Sequence, residues 1–285
     1  MARVAVVTGA SAGIGKEAAK SLAAQGWRVI AVGRNAERSA AALAEIQAAS
    51  SGAPVDMLVG DLALLREAAR IADEIAGLTD RVDVLLNNAG GVADRRVMTD
   101  EGNEATFTGN HLGPFLLTNR LIPLLKAAAK DVAPGAVRII NTSSTGHLTA
   151  KPFDWDDVQM IEDFQFGKAY CNAKLANILH SNVLAKRLAE DGIIAHSMHP
   201  GVVDSNFISH AEAGMQSYMR TLDLRPPSEA GDMLVWLATS DEAGRTTGGY
   251  FHKNAPAETS DMAKDDALAE RLWVESGKLV AKGGF

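Results

Sequence analysis

The sequence predicts a single α/β domain: a doubly wound parallel sheet with helices on both faces. Three observations carry this. Short β-branched runs alternate with longer alanine-rich stretches along the 285 residues. The short runs are apolar almost throughout, as strands buried on both faces must be. No linker, repeat or low-complexity tract breaks the chain, so residues 1–285 read as one unit. Strands that alternate with helices build right-handed crossovers and a parallel sheet.

The elements follow in order. "RVAVV" (3–7) reads as a strand, followed by a helix from about Lys16 to Gln25. "WRVIAV" (27–32) precedes a helix from about Ala36 to Ala49, and "PVDMLVG" (54–60) one from about Ala63 to Ala76. "RVDVLLN" (81–87), "AVRIIN" (136–141) and "GIIAHSMH" (192–199) continue the series. "LRPPSEA" (224–230) reads as a loop entering a helix with Ser228 as N-cap and Glu229 in the first turn. Segments 145–167 and 202–227 depart from the rhythm. Both leave the carboxyl edge of the sheet, where open α/β sheets bind ligands, so both are candidates for substrate contact.

Composition narrows the function. A net charge of −7 disfavours a phosphate backbone, so nucleic acid is not expected as a partner. The one cysteine, Cys171, excludes an internal disulfide and suits a reducing cytoplasm. The opening apolar run stops at a glycine and reads as a strand rather than a signal segment. No run reaches the roughly 18 apolar residues of a membrane span, so no membrane attachment is expected. His196 and His199 lie three apart on a strand and face opposite ways, so no metal is expected there.

The first strand runs into "TGASAGIG" (8–15), a glycine loop placed between a strand and a helix. Gly9 permits the tight turn, Gly13 lets the backbone approach a pyrophosphate, and Gly15 lets the helix pack close to the sheet. Ser11 and Ile14 belong to the same loop. The free N–H groups of that helix face an anion. This is a Rossmann-type dinucleotide site. An acid at the end of the second strand would select NAD, but the chain reads "AVGRN" and offers Arg34. A guanidinium holds a 2′-phosphate with charge-assisted bonds, so NADP(H) is expected over NAD(H). "GDLA" (60–63) places Asp61, beside Leu62, where it could accept from an adenine amino group. "NNAG" (87–90), with Asn88, Ala89 and Gly90, is a turn of small and polar residues beside the cofactor groove. "AYCNAK" (169–174) puts Tyr170 and Lys174 four apart, on one face of a helix.

These motifs in this order resemble the short-chain dehydrogenase/reductase superfamily over nearly the whole chain. "TGASAGIGKEAAK", "NHLGPFLLTNRLIPLLK", "AYCNAKLANILHSNVLAKRLA" and "MHPGVV" resemble its retinol-dehydrogenase-like branch, which includes light-dependent protochlorophyllide reductases. The resemblance implies Tyr170 as catalytic acid/base and Lys174 as the lysine that bonds the nicotinamide ribose and lowers the tyrosine pKa. It implies Ser144 as the serine that holds the substrate oxygen and Asn110 as the asparagine that positions a relay water. Ser143 adjoins Ser144, and the choice between them rests on the motif match. After the sixth strand, Pro200, Val203 and Ser205 fall to the cofactor, Ser205 standing where the family usually has threonine. His147, Met215, Tyr218 and Met219 are candidates for substrate contact, the last three from a stripe at helical spacing that ends at Leu222. Helices 111–130 and 174–190 pair across a two-fold axis in the family, so a homodimer or homotetramer is expected. The implied activity is an NADP(H)-dependent interconversion of a hydrophobic aldehyde or ketone with its alcohol, in the cytoplasm. The alternative is a non-catalytic dinucleotide sensor or scaffold on the same fold.

Overall fold

A computed structural model describes residues 2–203 and 224–285. Ser205, Met215, Tyr218, Met219 and Leu222 lie outside the described residues. The elements run β1 (Val4–Thr8), α1 (Gly13–Ala24), β2 (Arg28–Gly33), α2 (Ala36–Ala49), β3 (Val55–Val59), α3 (Leu65–Leu78) and β4 (Val84–Asn87). Next come α4 (Ala105–Phe107), a π turn (Thr108–Leu112), α5 (Gly113–Ala129), β5 (Arg138–Thr142), α6 (Phe166–Arg187) and β6 (Ile194–Met198). The chain closes with α7 (Pro227–Thr239), β7 (Tyr250–His252), β8 (Ala255–Pro256) and α8 (Asp266–Lys282). The strand order is β3-β2-β1-β4-β5-β6-β7-β8, parallel except for the last pair.

Strand periodicity distributes the core between two layers. Val4 and Val6 face one layer with Leu117 of α5 and Leu179 of α6. Ala5 and Val7 face the other with Leu22 of α1 and Leu234 of α7. β2 repeats this, with Ile30 and Val32 on the first side and Val29 and Ala31 on the second. The apolar runs are continuous because both faces are buried.

Boundaries differ where caps and glycines decide them. α1 starts at Gly13, not Lys16, because the glycine loop itself makes the first turn. α6 starts at Phe166 and carries both Tyr170 and Lys174, as their spacing of four predicts. Ser228 is not an N-cap: Pro226 takes that place and Pro227 opens the helix, a first-turn position that needs no N–H. β7, β8 and α8 were not among the expected elements. α8 lies against α6, with Arg187 paired to Glu270 at 2.7 Å and stacked 4.3 Å from the Trp273 ring. Every residue from Asn172 to Ser181 is buried, so the middle of α6 is enclosed on all sides within one chain, while Gly167, Lys186 and Arg187 stay exposed at its ends.

Candidate active site

The carboxyl ends of β1, β4, β5 and β6 open on a cavity of about 1140 Å³. That exceeds the range of sites for a single drug-sized ligand and leaves room for a dinucleotide beside a substrate. The glycine loop forms one wall. Gly9 has φ +69°, and a Cβ there would come within 2.9 Å of the Ala89 backbone. A Cβ on Gly15 would come within 2.5 Å of the Gly9 carbonyl oxygen, so this glycine serves packing. Gly9, Ser11, Gly13 and Ile14 line the cavity, whereas Gly15 stays behind it. The α1 N-terminus has no side-chain cap and no acid in its first turn. The loop therefore fits a pyrophosphate on its own N–H groups.

The end of β2 forms the second wall. Gly33 is closed to any side chain, since a Cβ would collide with Ser39 Oγ and come within 2.8 Å of Ser11 Cβ. Arg34 follows, 60% exposed, with Nη1 3.8 Å from Asp61 Oδ2. Asp61 turns its other oxygen to the Ala63 N–H at 3.0 Å. Arg38 lines the cavity with Arg34, Asp61 and Leu62, from the first turn of α2. Its N–H donates to the N-cap side chain of Asn35. Sequence reasoning missed Arg38, because Arg34 precedes the N-cap of α2 and no helical spacing relates the two.

At the end of β4 a threonine shapes the turn. Thr8 Oγ1 accepts from the N–H groups of Asn88 at 3.0 Å and Ala89 at 2.9 Å. Asn88 Nδ2 donates back to the Thr8 carbonyl at 3.1 Å. Asn88, Ala89 and Gly90 line the cavity.

The four residues expected to carry the chemistry meet beyond Gly90. Lys174 Nζ donates to the Thr142 carbonyl at 3.1 Å, and Asn177 Nδ2 donates to the same oxygen at 3.0 Å. Ser143 Oγ donates to the Lys174 carbonyl at 2.7 Å. The adjacent serines both line the cavity but bond differently: Ser143 ties β5 to α6, while Ser144 holds the turn that follows. Ser144 Oγ accepts from the Gly146 N–H at 3.1 Å and shares a hydrogen bond with the Tyr170 hydroxyl. Asn110 Nδ2 donates to the carbonyls of Gly91 and Thr106, both at 2.7 Å. Its Oδ1 is buried without a partner. Asn110, Ser144, Tyr170 and Lys174 all line the one cavity, and Pro200 and Val203 close its end near β6.

Comparison with known proteins agrees with this arrangement. The short chain dehydrogenase family profile matches residues 3–216. The chain belongs to the short chain dehydrogenase family. It is 34% identical to human (Homo sapiens) retinol dehydrogenase 13 over 286 residues, covering 98% of this chain and 84% of that protein. It is 31% identical to the chloroplastic short-chain dehydrogenase TIC 32 A of Brassica napus, covering 97% of this chain and 88% of that one. Among solved structures, a Pseudomonas aeruginosa RhlG/NADP active-site complex superposes with a TM-score of 0.70 at 26% identity, covering 87% of this chain and 93% of that chain. The chain is thus an oxidoreductase of alcohols or carbonyls, in the retinol-dehydrogenase-like branch, with a nicotinamide dinucleotide as its family cofactor.

The electrostatics of this dehydrogenase are set by burial. Burial pushes the Tyr170 phenol up to about 12, against the Ser144 hydrogen bond, which lowers it. Burial brings Lys174 down to about 8. Lys174 Nζ sits 5.5 Å from the Tyr170 ring centroid and gives a hydrogen bond to Thr142. In the protein alone, desolvation therefore outweighs the lowering expected from the lysine.

His147 is not brought to the cavity. It is fully buried behind Ser144, with Nδ1 donating to the Ser144 carbonyl at 2.7 Å and Nε2 accepting from the Ser260 N–H at 3.4 Å. Its ring meets Tyr250 edge-on at 4.9 Å. His199 lines the cavity instead, at the end of β6. His196 is held by Ala243 and Gly249, and among the described residues no His, Cys, Asp and Glu side chains group as a metal site. No helix among the described residues is long and apolar enough to cross a membrane.

Proposed function

We propose that the chain is an NADP(H)-dependent reductase or dehydrogenase that interconverts a hydrophobic aldehyde or ketone with its alcohol. The observation that carries this is the convergence of Asn110, Ser144, Tyr170 and Lys174 on one cavity. A dinucleotide sensor on the same fold would need the glycine loop but not this set.

The nicotinamide, when bound, supplies the hydride. The protein's own groups do the rest. Tyr170 gives its proton to the carbonyl oxygen, and Ser144 donates to the same oxygen as charge develops on it. Lys174 stands beside the phenol as the positive group that favours phenolate once both face the bound ligands. Asn110 holds the relay side of the site through its free Oδ1. Arg34 and Arg38 are the groups that favour a 2′-phosphate. Val92, Val97, Phe166 and Val202 support an apolar substrate.

The expected homodimer or homotetramer has to use surfaces other than the α6 face that α8 covers. Light scattering near 30 kDa would remove that expectation. The reading of the reaction is tested by Tyr170→Phe against a carbonyl panel. The expected result is a rate loss of about 10²–10⁴-fold with the fold intact. Turnover at the parental rate would overturn the mechanism.

A further inference from the structure

We infer that Ser276, on the C-terminal helix, is a positioning residue for the active site, acting through His111 on the turn that aims Asn110. The inference rests on the proposed role of Asn110.

Asn110 and His111 are neighbours in the π turn Thr108–Leu112, where the Gly113 N–H bonds back five residues to the Thr108 carbonyl. A π turn inserts one residue into the helical ladder and redirects the side chains around it. Asn110 reaches the cavity and bonds Gly91 and Thr106. His111 reaches α8, where its Nε2 lies 2.7 Å from Ser276 Oγ. Both residues are 1% exposed.

That bond decides the ring's orientation. His111 Nδ1 is buried without a partner, so Ser276 supplies the ring's hydrogen bond. Without it a buried imidazole has no polar contact, a state that structures avoid. The surrounding rings are Phe107 at 5.2 Å, Phe115 at 6.0 Å and His180 at 5.9 Å, which fill space but offer no geometry to the nitrogens. α8 is itself anchored. Trp273 meets Phe115 at 4.8 Å, Lys186 pairs with Asp266 at 2.6 Å, and in the turn that leads into α8 the Ala263 carbonyl accepts from Asn182 Nδ2 at 2.8 Å. A fixed helix thus grips the residue next to Asn110, within a turn that departs from the α-helical ladder.

The test uses the full chain with Ser276→Ala and Ser276→Thr. Hydrogen exchange over residues 105–112 is read beside kcat and the KM for NADPH. The expected result for Ser276→Ala is faster exchange in that segment and a kcat lower by about tenfold, below the roughly hundredfold of a 1 Å misplacement. The KM for NADPH should hold, and Ser276→Thr should restore both readouts. Unchanged exchange over 105–112, parental kcat in Ser276→Ala, or a Ser276→Thr chain as slow as Ser276→Ala at parental melting temperature would each overturn the inference. Parental turnover by Tyr170→Phe would instead overturn the reading of the reaction, and the exchange result would still judge the tie to α8.

Discussion

Asn110 Oδ1 and Lys174 Nζ face the same empty point above Gly90, at 2.5 Å and 3.2 Å from where a Cβ on that glycine would sit. The two side chains come from different helices and converge only because residue 90 has no side chain. Gly90→Ala should push Asn110 off its hydrogen bonds to Gly91 and Thr106. Cavity-facing displacement on this scale lowers turnover by about tenfold to a hundredfold. Steady-state kinetics alongside a melting curve checks it, since parental kcat would show that the glycine is only a loop residue.

Arg34 and Arg38 flank the far end of the cavity, and among the described residues Arg34 pairs with Asp61 at 3.8 Å. A charge-assisted bond to a phosphate contributes about 1.5–3 kcal/mol, or roughly tenfold to a hundredfold in affinity. Arg34→Ala with Arg38→Ala should raise the KM for NADPH by at least that lower figure and leave NADH nearly untouched. Equal effects on both cofactors would remove the 2′-phosphate reading.

Several histidines are buried as neutral rings. Burial holds His180 down to about 3, His199 down to about 4, and His111 well below its ordinary value. Their folded pKa values are depressed, so between about 6.5 and those values the unfolded chain binds more protons. Stability is then full above about pH 6.5 and falls as pH drops, by up to roughly 1.4 kcal/mol per unit for each ring. Glu104, buried with a raised pKa, acts in the opposite sense at lower pH. Melting temperature should drop steeply from pH 7 to pH 5, and a His180→Leu chain should show a shallower slope. A flat profile over that range would contradict the burial of these rings.

Much of the site was legible in the chain because it rests on local geometry. Gly9, Gly13 and Gly15 serve a tight turn and close approaches that no larger residue allows, so their spacing signals the turn itself. Tyr170 and Lys174 are one helical turn apart wherever that helix lies. Other parts rest on contacts between distant segments. His147 looked like a substrate residue because it follows Ser144 by three, yet its ring is filled in from behind by Tyr250 and Ser260. The separate tasks of Ser143 and Ser144 appear only when β5 meets α6. Arg38 joins Arg34 only through the fold, because the chain turns from β2 into α2 between them.

By itself the sequence determined the alternation of strands and helices and the dinucleotide loop, and it singled out the four residues expected to carry the chemistry. The first two follow from side-chain size or from a periodicity within one element, whereas the four residues follow from the resemblance of the motifs to the family. Only the tertiary structure decided what lies behind them. It put α8, whose sequence carries no site motif, over α6 and against His111. It left the Tyr170 phenol high and Lys174 low, because burial, unlike spacing, is a property of everything packed around a group.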